Sequence, residues 1–272
     1  MPGAYDALSA RILERIGFQA IQASGYGIAA SMLGIPDIGI LSMADMLDQT
    51  RRMVQAVNVP IMADGDTGFG NAVNTYYTVR AFEAAGCGGI NLEDQTFPKR
   101  CGHLDNKTVI SMEEMVGKVE AAAAARRDPD FIINARTDAI AVYGVDEAIR
   151  RGNAYARAGA DLIFVEAPQQ KEDIERVIKA IEAPVSINLA DGGKTPAVSI
   201  PELQKMGAAR VSVPVATIFS AAKGMIDALT LLYEKRETPS AVRPDCMLTF
   251  SAFTDLVGLP QYQDLSNTYV KS

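Results

Sequence analysis

Short apolar runs rich in Val, Ile and Ala recur at about residues 19–23, 60–63, 88–92, 131–135, 161–165, 184–187 and 209–213. Between them lie longer stretches with the spacing of amphipathic helices, clearest at 43–56, 74–85, 112–127, 145–158, 171–181, 200–206 and 216–235. Several end in Ala-Gly or Met-Gly, the sequence form of a glycine C-cap. An eighth strand is expected at the chain start, Met1-Pro2-Gly3-Ala4-Tyr5, poor by propensity but followed by a good helix over 7–16 that Gly17 closes. Alternation of this kind predicts parallel strands joined by crossover helices.

A doubly wound open sheet and a closed barrel both satisfy that alternation. The strand runs, however, end in polar residues: Ser24, Asp64, Glu93, Arg136, Glu166 and Asn188. Only a barrel gathers every carboxyl end around one mouth, so the expected fold is an α/β, (β/α)8 TIM-type barrel. Nothing resembles an internal linker, which makes 1–272 one domain, with 1–236 as barrel core and 237–272 as a C-terminal helical extension. In that extension Met247, Phe250, Phe253 and Leu256, then Pro260, suggest one or two helices with an apolar face. Such a face needs something to pack on, another subunit being one candidate.

Composition narrows the function. The balance of 48% hydrophobic and 22% charged residues in 272 is that of a soluble globular protein. No apolar stretch approaches the ~20 residues of a membrane span, and no basic segment followed by an apolar run opens the chain, so the cytoplasm is the expected compartment. Cys87, Cys101 and Cys246 are odd in number and widely spaced, which argues for reduced thiols. A net charge of -7 without a Lys/Arg cluster disfavours nucleic acid and points to a small-molecule partner.

Acids at strand ends carry the candidate chemistry. Asp64-Gly65-Asp66 follows the run 60–63, and Glu93-Asp94 stops the run 88–92. If the strand continues, Asp64 and Asp66 point to one side and Gly65 leaves the backbone clear for a ligand. With Glu93 and with Asp37 of the Ile35-Pro36-Asp37 turn they supply hard oxygen donors suited to Mg²⁺; the same acids also read as helix N-caps or solvated loop residues. A second signal is Lys99-Arg100-Cys101-Gly102-His103, with the chain's one histidine. A thiol beside two cations and an imidazole can donate and take back a proton, although an exposed basic loop has the same look. Arg136 suits a substrate carboxylate or a pairing with Asp138 or Glu166. Ser24-Gly25-Tyr26-Gly27 reads as a glycine-rich turn whose amides cradle a carboxylate, or as a turn alone. Gly193-Lys194-Thr195 lacks the glycine of a phosphate loop, Gly65, Gly68 and Gly70 miss the dinucleotide spacing, and one histidine excludes a zinc site of several imidazoles.

Together these stretches resemble the isocitrate lyase and phosphoenolpyruvate mutase superfamily over essentially the whole chain. The resemblance rests on the DGDTGFG stretch at 64–70, Leu92-Glu93-Asp94-Gln95, KRCGH at 99–103, Ala135-Arg136-Thr137-Asp138 and Val165-Glu166-Ala167-Pro168, which keep the family's order. It implies a barrel that assembles as a homotetramer, with its last helix exchanged between subunits, and a Mg²⁺ or Mn²⁺ cofactor. By the same resemblance Asp64 is the direct metal ligand, while Asp66, Asp37 and Glu93 hold its waters. Ser24, Gly25 and Tyr26 bind the 2-oxo-acid half of the substrate, Arg136 contacts its oxygens, and Glu166 and Asn188 line the pocket. The loop at 99–103 is the gate of the lyase branch, with Cys101 as general acid, His103 among the catalytic residues and Gly102 facing substrate; Glu93 is counted as catalytic too.

Within the lyases, the segment 188–196 (NLADGGKTP) resembles enzymes acting on 2,3-dimethylmalate and other 2-alkylmalates more than methylisocitrate lyase. Pro214 departs from the serine typical of oxaloacetate hydrolases. The resemblance therefore implies a carbon–carbon lyase that cleaves a 2-hydroxy-dicarboxylate to pyruvate and a short carboxylate, with methylisocitrate lyase and then oxaloacetate hydrolase or decarboxylase as rivals. The family's helix ahead of the first strand is not seen, so an incomplete amino terminus is also expected.

Overall fold

Eight strands, β1 (Gly3–Ala4), β2 (Ile21–Ala23), β3 (Ile61–Asp64), β4 (Gly89–Glu93), β5 (Ile132–Thr137), β6 (Leu162–Val165), β7 (Val185–Asn188) and β8 (Arg210–Ser212), each pair in parallel with the next. A parallel bridge from Pro2 to Val213 joins the first strand to the last, with the Gly3 amide donating to the Val213 carbonyl at 2.9 Å. The (β/α)8 barrel expected from the polar strand ends is the architecture of this computed structural model, which describes residues 1–102 and 106–270. No helix among the described residues is long and apolar enough to cross a membrane.

Several crossover helices begin where a side chain satisfies their free backbone groups. Helix α1 (Ala7–Ile16) starts at Asp6, whose carboxylate accepts from the Ser9 amide at 2.7 Å, and ends at Gly17 with a φ of 110°. Helix α2 (Gly25–Leu33) occupies the segment read from sequence as a glycine-rich turn. Helix α3 (Met43–Ala56) is opened by a reciprocal Ser42–Asp45 capping box and buries Met46, Thr50 and Met53. The rest are α4 (Ala72–Ala84), α5 (Met112–Ala125), the short α6 (Ile140–Tyr143), α7 (Val145–Arg157), α8 (Lys171–Ala180) and α9 (Ile200–Met206). Two of these depart from expectation for local reasons. Asn71 caps α4 two residues earlier than the periodicity suggests, and Gly144 separates α6 from α7.

Alternation along each strand sorts the interior. One set, including Ile21, Ile90, Ile133, Val165 and Ile187, faces the helices and joins one apolar core with Met46, Phe82, Val119, Tyr155 and Leu203. Each such side chain contributes about 1.5–3 kcal/mol relative to exposure. The other set points into the barrel and is largely polar, including Gln22, Asn91, Asn134, Ser186 and Arg210, all buried.

The chain forms two compact units, Met1–Ala216 and Thr217–Ser272. The second contains nearly all of α10 (Ala216–Lys235), then α11 (Pro239–Val242), a 3-10 turn at Pro244–Cys246, α12 (Phe250–Leu256) and α13 (Leu259–Tyr269). The two late helices are those that the spacing around Phe250 and Pro260 suggests, with Pro260 in the first turn of α13. Phe250, Tyr262, Leu265 and Tyr269 are exposed.

Candidate active site

The carboxyl end of β3 places Asp64 half-buried at the barrel mouth, where its two oxygens accept from the Gly25 amide at 3.0 Å and the Asp66 amide at 3.2 Å. The strand stops there. Asp66 lies in a turn with φ at +44°, so the expectation of a continuing strand is corrected. Gly65 does not leave room for a ligand either: a Cβ there would lie 2.6 Å from Ile90 Cδ1 and 2.8 Å from the Asn91 carbonyl. Glycine is required because β4 passes so close.

Lys99 enters this cluster from the segment after β4. Its ammonium lies 2.7 Å from Asp37 Oδ2 and 2.8 Å from Asp66 Oδ1, with the lysine side chain only 4% exposed. Burial alone would lower its pKa, but Asp66, Asp37, Glu93 and Asp64 outweigh that and hold it well above the ordinary lysine value. Burial pushes the Asp66 carboxyl up to about 7, against the pull of Lys99 and with the push of Asp64 and Asp37. Glu93, the last residue of β4, is raised well above the usual range, chiefly by burial, with Arg136 and Lys99 opposing. Its Oε2 lies 3.2 Å from Arg136 Nη1, while its buried Oε1 has no hydrogen-bond partner among the described residues.

These facts test the cluster as a metal site. No three Asp, Glu, His or Cys side chains among the described residues stand close enough to enclose an ion on their own. The donors are nonetheless all carboxylate oxygens, two of the acids are short of positive charge, and one buried oxygen lacks a donor. That chemistry fits a hard divalent cation that keeps several of its waters.

Arg136, on β5, is held by acids on several sides. Its Nε and Nη2 donate to the two Asp138 oxygens at 2.9 and 3.0 Å, and Nη2 lies 3.3 Å from Glu166 Oε2. The pairing with Asp138 and Glu166 left open by the sequence is therefore present. Asp138 also takes the Lys107 ammonium at 2.6 Å. Burial would raise the Asp138 carboxyl, but Arg136 and Lys107 overcome this and hold it near 2. Behind it Asp94 accepts from Thr137 Oγ1 at 2.8 Å, Tyr155 Oη at 2.8 Å and Arg151 Nη1 at 3.0 Å, tying β4 and β5 to α7.

The segment Lys99 to Gly102 is laid over these groups by several contacts. The Gln95 amide brackets Arg100, accepting from its backbone N–H at 3.0 Å and donating to its carbonyl at 2.8 Å. The Cys101 N–H donates to the Asp37 carbonyl at 3.1 Å. Gly102 packs so closely that a Cβ would overlap Arg136 Nη2 and lie 2.6 Å from Glu166 Cδ, and its carbonyl accepts from Lys107. The half-buried Cys101 thus belongs to a strap across the acids, in which the Lys99 ammonium pairs with Asp37 and Asp66. His103 lies outside the described residues.

The remaining residues sit on two other strand ends. Ser24, Gly25 and Tyr26 form the first turn of α2, not a free turn: Ser24 Oγ caps the helix by accepting from Gly27 N–H at 3.2 Å. Gly25 is needed because a Cβ would lie 2.5 Å from Asp64 Oδ2. Asn188 ends β7 and accepts from Ser212 Oγ at 2.8 Å. After it, residues 189–198 and Val213 line a cavity of about 510 Å³, in which Leu189, Ala190, Val198 and Val213 are apolar. The structure therefore brings Asp37, Asp64, Asp66, Glu93, Arg136, Glu166, Gly25, Cys101 and Gly102 into one connected rim. Sequence reasoning missed Lys99 as a partner of the acids, named Gln95 without giving it a role, and missed Lys107 and Arg151 altogether. Gln95 carried a signal, being polar just past a buried strand; Lys107 carried none.

The sequence matches the phosphoenolpyruvate phosphomutase family model over residues 1–232. It is 46% identical over 268 residues to 2,3-dimethylmalate lyase of Eubacterium barkeri, covering 98% of this chain and 92% of the relative. It is 38% identical to 2-methylisocitrate lyase of Aeropyrum pernix, covering 96% and 83%. Among solved structures, oxaloacetate acetylhydrolase bound to 3,3-difluorooxalacetate superposes with a TM-score of 0.92 at 32% identity, covering 98% and 90%. The chain belongs to the phosphoenolpyruvate mutase and isocitrate lyase superfamily. Within it, the lyase relatives matched over nearly the full length make it an enzyme of the carbon–carbon lyase class.

Proposed function

We propose that the protein is a Mg²⁺- or Mn²⁺-dependent lyase that cleaves 2,3-dimethylmalate or another 2-alkylmalate to pyruvate and a short carboxylate. The observation that carries this reading is the cysteine-bearing strap at Lys99 to Gly102, anchored on the acids through Lys99 and through the Cys101 N–H to the Asp37 carbonyl. The high identity to a dimethylmalate lyase supports the substrate, as does the apolar part of the cavity after Asn188, which suits an alkyl arm.

In this reading Asp64 would hold the ion, with Asp66, Asp37 and Glu93 reaching it through water. Such an ion would supply positive charge that favours ionisation of the substrate's 2-hydroxyl. Ser24, Gly25 and Tyr26 seat the half that becomes pyruvate. Arg136, aimed by Asp138 and Glu166, donates to its oxygens, and Gly102, Glu166 and Asn188 close the pocket. The hydroxyl proton passes to water, the bond between the hydroxyl-bearing carbon and its neighbour breaks with the electron pair passing to the fragment that carries the departing carboxylate, and the Cys101 thiol protonates the carbon next to that carboxylate, becoming a thiolate that takes a proton back from water. The closed strap matters because a carbanion equivalent open to water would be quenched unselectively.

A methylisocitrate reading is favoured by one observation, the 38% identity to a named enzyme of that activity. A panel of 2-hydroxy diacids with pyruvate detection separates the two. Dimethylmalate or a close alkylmalate is expected to be turned over fastest, and a clear preference for 2-methylisocitrate would replace our reading. In the same assay Cys101→Ser is expected to lose about 100-fold or more in turnover with oxalate binding little changed; near-normal turnover would remove the thiol from the mechanism.

A further inference from the structure

A buried positive charge lies beneath the acid cluster and takes no part in the reaction as described. Side chains two positions apart on a strand share a face, about 7 Å apart along it. The inward residues one step below the rim are therefore Gln22 under Ser24, Asn91 under Glu93, Asn134 under Arg136 and Ser186 under Asn188, with Arg210 under Ser212. Arg210 is the hub of this layer. Its guanidinium donates to Gln22 Oε1, to Ser186 Oγ at 3.2 Å and to Asn91 Oδ1 at 3.4 Å. Asn134 donates to the same Asn91 oxygen at 2.5 Å or, with its amide turned, accepts from Arg210 Nη1 at 2.8 Å.

Every one of these partners is uncharged, so the layer solvates the guanidinium without neutralising it. Burial lowers the Arg210 pKa to about 10, still protonated at neutral pH, and Asp64 is the acid whose charge acts on it. Stability alone gives such a group little purpose, since an apolar side chain of similar volume often serves as well in a protein interior. The field it sends upward is a different matter. Asn91, one of its acceptors, is register partner of Asp64 and lies two residues below Glu93.

We propose that Arg210 is a further resident counter-charge of the acid cluster, set below Lys99 and Arg136 on the side of Asp64, a positioning residue that steadies Asp64 before a divalent ion binds and weakens that binding by repulsion. The inference rests on reading Asp64, Asp66, Asp37 and Glu93 as the divalent-ion site. A resident cation of this kind lowers the mutual repulsion of the acids in the metal-free protein, and opposes a second cation arriving above it. Ion affinity is then a compromise between an ordered empty cluster and tight binding.

The test is a Mn²⁺ titration of wild type, Arg210→Gln, Arg210→Met and Arg210→Lys without substrate, followed by the loss of the free-ion electron paramagnetic resonance signal. Thermal unfolding of each protein with and without Mn²⁺ accompanies it. The Gln and Met variants are expected to bind Mn²⁺ about threefold or more tightly than wild type. Their Tm difference between metal-free and Mn²⁺-loaded protein should widen, while Lys stays within about twofold of wild-type affinity. Damage to the fold alone would loosen binding, so tightening is the distinguishing sign, and either neutral variant that folds suffices to read it. Unchanged or weaker Mn²⁺ binding in that variant, with normal binding by wild type, would overturn this inference alone. A wild type that binds no Mn²⁺ would remove the metal reading and the inference with it.

Discussion

At the scale of single residues, the rim works by placing each charge between opposing ones. Asp138 shows it best, because a fully buried carboxylate would be unfavourable without Arg136 at 2.9 Å and Lys107 at 2.6 Å. Its folded pKa near 2 lies below the unfolded value of 3.8. The stability it contributes is therefore fully present above the unfolded value and lost as pH falls toward the folded one. Wild type is expected to lose on the order of 2 kcal/mol through this residue across that window. Urea unfolding at several pH values should show that Asp138→Asn, although less stable throughout, lacks this part of the acid dependence. Parallel curves for the two proteins would show that Arg136 and Lys107 do not hold Asp138 ionised.

Elements fare unequally when read from sequence, and the reasons are physical. The helix over 43–56 was legible to the residue because its capping box and its buried Met46 and Met53 agree. Helix α2 was not, since Gly25 and Gly27 weaken the helical signal. Both glycines are there for tertiary reasons, to let Asp64 and Tyr5 approach. The acids at the ends of β3 and β4 were legible as a site because polar residues stop apolar runs. The contacts that fasten the strap were not, as Lys99–Asp37 and Lys107–Asp138 join residues 62 and 31 positions apart. The polar layer around Arg210 was hidden for another reason: alternation marks a strand's two faces without telling which lies inside the barrel. The strap itself is testable as an element. Gly102→Ala places a methyl against Arg136 and Glu166, so the segment must lift. Alkylation of Cys101 by iodoacetamide should then accelerate several-fold and kcat/KM should fall; an unchanged alkylation rate would mean that Gly102 does not seat the strap.

For the molecule as a whole, the barrel brings residues at the ends of β3, β4, β5 and β6 to one mouth, where burial raises the Asp66 and Glu93 carboxyls and Lys99 and Arg136 only partly offset it. We also propose a homotetramer, supported by the exposed Phe250, Tyr262 and Leu265 of the last helices. Sedimentation at about four times the 29.1 kDa chain is expected, and a monomer at micromolar concentration would contradict it. In the function proposed, the acid cluster around Asp64 works through a divalent ion. Pyruvate release from 2,3-dimethylmalate by chelator-stripped enzyme, before and after Mg²⁺ is restored, tests it most directly. No release before and full release after is the expected result; undiminished release from the stripped enzyme would contradict the account.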